Sequence, residues 1–121
     1  MSKSFGDGVP YGDPLWYSDG SYSPYYNDSH RAFRAKCRDF VENEVTPFVD
    51  EWEAKKSIPN EVNQKAAKLG LLPCIVGKNG YEVAGITPPE NYDTFHELIF
   101  IDELARCCSG TYISCQCIQN Y

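Results

Sequence analysis

The sequence predicts an all-α protein, a small helical bundle preceded by an extended N-terminal arm. Apolar residues recur at helical spacing in three separate stretches. Those stretches are punctuated by capping residues, Pro and Gly, and no run alternates convincingly as a strand would. The 121 residues allow one domain with one modest core. There is no internal repeat.

Residues 1–26 form the arm. They hold seven of the 17 aromatic residues of the chain but only Val9 and Leu15 among the aliphatics, and Gly or Pro interrupts every few positions. Residues 1–13 are expected to lack order. In 14–26, Trp16, Tyr17, Tyr25 and Tyr26 either drape loosely or pack on the helices behind them. The domain proper is assigned to 27–121.

The first helix is expected to start at Asn27-Asp28-Ser29, any of which can accept from orphan amide groups. Phe33, Cys37, Phe40, Val41 and Val45 form its apolar stripe, with Arg31, Arg34, Lys36 and Arg38 on the other face. Pro47 removes an N–H, so a kink or restart is expected there, with Thr46 able to cap the new turn and Phe48, Val49 and Trp52 continuing the stripe. A second helix runs from Ile58 to Gly70, its face formed by Ile58, Val62, Ala66 and Leu69. Gly70 suits a left-handed cap, and Pro73 is expected to prevent continuation. Residues 73–92 carry Asn79-Gly80, Gly85 and Pro88-Pro89 and predict a long connection. The third helix, DTFHELIFIDELARCCSG over 93–110, is apolar over more than half its circumference. Such a helix needs cover on more than one side. Leaving four or five of its large side chains uncovered would forfeit on the order of 10 kcal/mol, comparable to the whole stability of a domain. TYISCQCIQNY after Gly110 predicts the first turns of a further helix, so the domain is expected to be incomplete at residue 121.

The charge of −6 argues against nucleic acid or an anionic membrane as partner. No stretch is long and apolar enough to span a bilayer. With no signal or transit pattern at the N-terminus, the default address is cytoplasmic, and the six cysteines (37, 74, 107, 108, 115, 117) are expected as thiols. Cys107-Cys108 and Cys115-x-Cys117 raise a soft-metal site, but paired CxxC knuckles are absent and buried small hydrophobes explain them better. His30 and His96 are lone histidines at helix surfaces or ends, and structural roles are expected. Asp102 and Glu103 point about 100° apart on a helix, so they form a polar edge, with Arg106 reaching back to them. No catalytic, cofactor or metal residue is assigned.

Together, SPYYNDSHRAFRAKCRDFVENEVTPFVDEWEAKKSIPNEV, KAAKLGLL and YDTFHELIFIDELARCCSG resemble the N-terminal helical domain of the acyl-CoA dehydrogenase family. The resemblance rests on Val45 to Pro47, Asp50 to Glu53, Ile58 to Gly70, and Glu103 to Arg106, in order and spacing. The loop departs from the family's Tyr-Gly-Gly turn, having Gly80-Tyr81 and then Val83-Ala84-Gly85. The arm is similar to linkers that follow an upstream haem-binding domain in some members. The resemblance implies a FAD enzyme acting on CH–CH groups of acyl thioesters. It implies that the flavin and the catalytic base are held largely by a central β-domain and a helical C-domain whose sequence is not in these 121 residues. It also implies an acyl-CoA substrate and a homo-oligomer, or the remaining domains, as partners. Thr111, Tyr112, Ile113 and Gln116 are then the residues expected to line the acyl-chain pocket. Two other readings compete: a non-catalytic module docking onto a full-length relative, and a cysteine-based metal-binding bundle.

Overall fold

The computed structural model describes residues 23–107 and Gly110. Among them are six α-helices and one π-helical turn, with no strand, as the all-α expectation requires. None of these helices is long and apolar enough to cross a membrane. Thr111 to Tyr121 and residues 1–22 lie outside the described residues, and with them Trp16, Tyr17 and all of the arm but 23–26. Tyr25 and Tyr26 are described, and their rings lie 5.8 and 5.1 Å from that of Phe95.

Helix α1 (Asp28–Phe40) begins where Asn27 caps it, its side chain accepting from the N–H groups of Ser29 and His30. The chain then widens into a π-helical turn (Val41–Val45), with the Thr46 N–H donating to the Val41 carbonyl at 2.8 Å. Pro47 has no N–H to offer, and the wider turn absorbs the missing bond. The break therefore falls where Pro47 predicts it. Thr46 is not the cap, however, because α2 (Val49–Lys55) starts after Phe48 with no side-chain cap.

Helix α3 (Asn60–Lys68) starts after Pro59 and stops where Gly70 adopts φ 77°, a left-handed conformation that strains any residue with a Cβ. Leu69 leaves the predicted apolar face and is exposed, while Leu71 is fully buried beyond the turn. The long connection expected from residue 73 is corrected here. Helices α4 (Leu71–Val76) and α5 (Lys78–Ala84) occupy most of it. Pro73 does not block α4, because it stands in the first turn, where its absent N–H had no helical partner. Gly80 is no turn residue either. A Cβ there would stand 2.5 Å from the Pro73 carbonyl oxygen, so its bareness lets α5 close on α4.

Helix α6 (Thr94–Ala105) lies against α1 and runs parallel to it. The first turns of the two helices meet at His30 and Asp93, and their last turns meet at Arg38 and Glu103. Phe33, Cys37 and Phe40 of α1 join Ile99, Phe100 and Leu104 of α6 in one buried cluster with Leu71, Cys74 and Tyr81. Each fully buried large apolar side chain contributes about 1.5–3 kcal/mol. Two phenols pin the intervening hairpin of α4 and α5. Tyr81 donates to the Gly70 carbonyl and Tyr92 to the Cys74 carbonyl, both at 2.9 Å. On the outside of α6, Leu98 is 52% exposed and Ile101 is 40% exposed.

Candidate functional site

Polar chemistry gathers at the two ends of the α1–α6 seam. At the first-turn end, Asn27-x-x-His30 and Asp93-x-x-His96 repeat one device, a capping box with histidine in place of the usual Glu or Gln. Each ring takes a hydrogen bond from the backbone of its own cap. The Asn27 N–H donates to His30 Nδ1 at 3.0 Å, and the Asp93 N–H donates to His96 Nδ1 at 3.1 Å. Those bonds require a lone pair on Nδ1 and therefore place the proton on Nε2 of both rings. His30 Nε2–H then donates to Asp93 Oδ1 at 2.8 Å. His96 Nε2–H donates to Ser29 Oγ at 3.1 Å, and Ser29 passes its own proton to the Glu90 carbonyl at 2.6 Å. The rings stack with centroids 4.3 Å apart, and both residues are wholly buried. Each of these bonds has one donor and one acceptor. His96 Nδ1 also stands 3.2 Å from Asp93 Oδ1, a contact that becomes a hydrogen bond only when that nitrogen is protonated.

Electrostatics agrees with this assignment. Burial, and next the neighbouring His30, pushes the His96 imidazole below its ordinary value. Burial pushes the Asp93 carboxyl up, but the hydrogen bond from His30 and the nearness of both imidazoles outweigh it, and the net displacement is downward. Asp93 also accepts from the Phe95 N–H at 3.0 Å, so one carboxylate sits between the positive ends of two parallel helices.

His30, Asp93 and His96 bring three ligating atoms within 4.8 Å of one another. As a metal centre the donor set is poor, because both Nδ1 lone pairs already receive backbone N–H groups and both Nε2 atoms carry protons. In the fold, the cluster ties the first turns of α1 and α6 together through the His30 bond to Asp93 and the His96 bond to Ser29. The sequence reading placed the two histidines apart as lone residues, and the structure corrects this by stacking them.

At the last-turn end, Glu103 is fully buried rather than lying on a polar edge. Arg38 approaches it with two nitrogens, at 3.1 and 3.3 Å, and Arg34 at 3.0 Å. Arg106 stands 3.7 Å away, reaching back as its spacing predicts. Arg34 is correspondingly buried, not part of a solvated face, whereas Asp102 is exposed. Cys37 and Cys74 are buried free thiols, Cys107 is also buried, and Cys108, Cys115 and Cys117 lie outside the described residues. Burial raises the Cys37 thiol far above its ordinary value and the Cys74 thiol to about 12, so neither is a ready nucleophile or metal ligand.

The residues expected to line an acyl pocket, Thr111, Tyr112, Ile113 and Gln116, also lie outside the described residues. The starts of α1 and α6 are taken up by the Asn27 and Asp93 side chains, so neither offers its first amides to a pyrophosphate.

The family model for "Acyl-CoA dehydrogenase, N-terminal domain" matches residues 27–120. The chain is 36% identical over 137 residues to acyl-CoA dehydrogenase AFT10-1 of Alternaria alternata, an alignment covering 100% of this chain and 32% of that protein. It is 33% identical over 108 residues to acyl-CoA dehydrogenase apdG of Emericella nidulans, covering 81% of this chain and 24% of the relative. A shorter segment of 47 residues is 38% identical to the mitochondrial long-chain specific acyl-CoA dehydrogenase of Rattus norvegicus, covering 39% of this chain and 11% of that protein. The chain thus spans about a third or less of the length of these relatives. No solved structure matches it. With the helix order, the Pro47 break and the Glu103-to-Arg106 segment all in place, the chain belongs to the acyl-CoA dehydrogenase family, matching its N-terminal domain.

Proposed function

We propose that this chain is the N-terminal helical domain of a FAD-dependent oxidoreductase that acts on CH–CH groups of acyl thioesters. Its role is framework and pocket wall. The flavin supplies the redox chemistry, and the groups that hold it and remove the substrate proton belong to the other domains. Thr111, Tyr112, Ile113 and Gln116 are the residues we assign to the acyl chain. The observation that carries this reading is the α6 surface. The exposed positions Thr94, Leu98, Ile101 and Ala105 fall on one face of a helix whose opposite face is already buried on α1. A stripe of that kind is suited to a further packing partner.

The test is a chimera in which residues 27–121 replace the matching part of the Alternaria alternata relative. The expected product binds flavin and oxidises an acyl-CoA, and the purified chain alone is colourless. A folded chimera without dehydrogenase activity, or a yellow chain with stoichiometric flavin, would sink the reading. The same stripe favours a second reading, in which the chain docks non-covalently onto a full-length relative. Co-elution of the chain with the intact relative in size-exclusion chromatography, abolished by Leu98→Lys, would select it.

A further inference from the structure

A groove of about 560 Å³ opens between α1, the end of α3 and residues 86–90. That volume lies within the range of small-molecule sites. Its lining is apolar in the middle, where Phe33, Tyr81, Ile86 and Pro88 contribute, and charged at the ends. Asp28 and Lys36 mark the ends along α1, about 12 Å apart on the helix. The two ends differ in how their charge is used. Asp28 is already paired with Arg31 at 3.2 Å. At the other end stand two ammonium groups, those of Lys36 and Lys68, and neither forms an ion pair among the described residues. Lys36 donates one hydrogen bond to the Leu69 carbonyl at 3.2 Å, offsetting the partial negative charge of the α3 terminus. Its remaining N–H groups are left for another acceptor.

We propose that this groove binds a small amphipathic carboxylate, its head group between Lys36 and Lys68 and its alkyl body laid on Phe33, Ile86 and Pro88. The charge complements the unpaired cations, and the length of the apolar stretch suits a medium-length chain. The acidic partners of the groove, Asp28 and Glu90, lie at the far end, where the Glu90 carbonyl is tied to Ser29.

The test uses the whole chain and decanoate, below its micelle concentration, followed by amide chemical shifts. Saturable shifts confined to α1, residues 68–70 and 86–90 are expected. Lys36→Gln with Lys68→Gln should weaken binding about tenfold, the scale of two partly exposed ion pairs. Decanol, with the same body and no charge, should bind about as weakly to the natural chain as decanoate does to the double variant. Ala32→Glu, at an exposed position in the groove, should abolish decanoate binding while the thermal midpoint holds. Absence of binding, equal affinity in the double variant, or shifts centred on Leu98 and Ile101 would each overturn the proposal.

Discussion

The two ends of the α1–α6 seam bury polar groups by opposite means. At the first-turn end the currency is neutral: two imidazoles, one hydroxyl and backbone groups pass single hydrogen bonds along a line, and only Asp93 carries charge. At the last-turn end it is ionic, with a fully buried carboxylate shared by Arg34 and Arg38. A neutral chain costs little to bury but fails when a proton arrives, because His96 then offers a donor where it must accept. An ion pair tolerates neutral-range pH but cannot lose one member cheaply, since the survivor keeps its charge in a poorly solvated place. Parallel packing explains the first placement. Two helix starts side by side suit the Asp93 carboxylate, whereas at the other end only α6 terminates, α1 winding on into the π-helical turn.

The largest expected effect tests the ionic end. Glu103→Gln removes the carboxylate between Arg34 and Arg38 and should destabilise the fold by about 3–5 kcal/mol in urea denaturation. A loss below about 1 kcal/mol would mean that the cluster is better solvated than its burial indicates. At the neutral end, His96→Phe keeps a ring against Phe33 and His30 but leaves the Asp93 N–H and Ser29 without their partner. It should cost about 1–3 kcal/mol. The two substitutions lie seven residues apart on one helix, about 10 Å, so their effects should add in the double variant to within about 0.5 kcal/mol. Strong coupling would show that the ends form one network.

Acid should separate the ends further. The unfolded chain takes a proton on His96 near its ordinary value of 6.5, whereas the folded chain resists it. Protons therefore favour unfolding, and stability falls as pH drops from about 6.5 toward the lowered folded value. Asp93 acts in the same direction over a lower window, starting at its ordinary value of 3.8. Chemical denaturation across this range should show the upper decline vanish in His96→Phe and persist in Ser29→Ala. The serine variant is the mildest probe. It deletes both the link to the Glu90 carbonyl and the acceptor of the His96 Nε2–H, at a half-buried position that water can reach, and should cost about 1–2 kcal/mol.

Much of the helical framework is legible in the sequence, and the failures have physical causes. Asn27, Pro47, Gly70 and Asp93 mark real boundaries because each acts locally, Asn27 and Asp93 through capping side chains and Pro47 and Gly70 through the backbone. The π-wound turn, by contrast, shows only as a break at Pro47. The region 73–84 misleads because Pro73 and Gly80 are helix breakers by type but not by position. One sits in a first turn, and the other is small because a neighbouring helix presses on it. Buried Arg34 and Glu103 are unreadable locally, since their partners are more than 60 residues apart in sequence. The histidine clasp had a signal: the same cap-x-x-His spacing occurs twice, at Asn27 and Asp93. Taken singly, each histidine looked idle.

The wide turn over Val41–Val45 is slack wound into the helix. Ordinary winding advances about 100° per residue, so about four residues in an α-helix sweep the rotation that about five sweep in the wider turn. Deleting one residue from VENEV should therefore tighten the turn and leave Trp52 facing the core it now fills. Inside α2, where winding is ordinary, the same deletion would swing the indole outward. A single-codon deletion should be tolerated in the first place and not in the second.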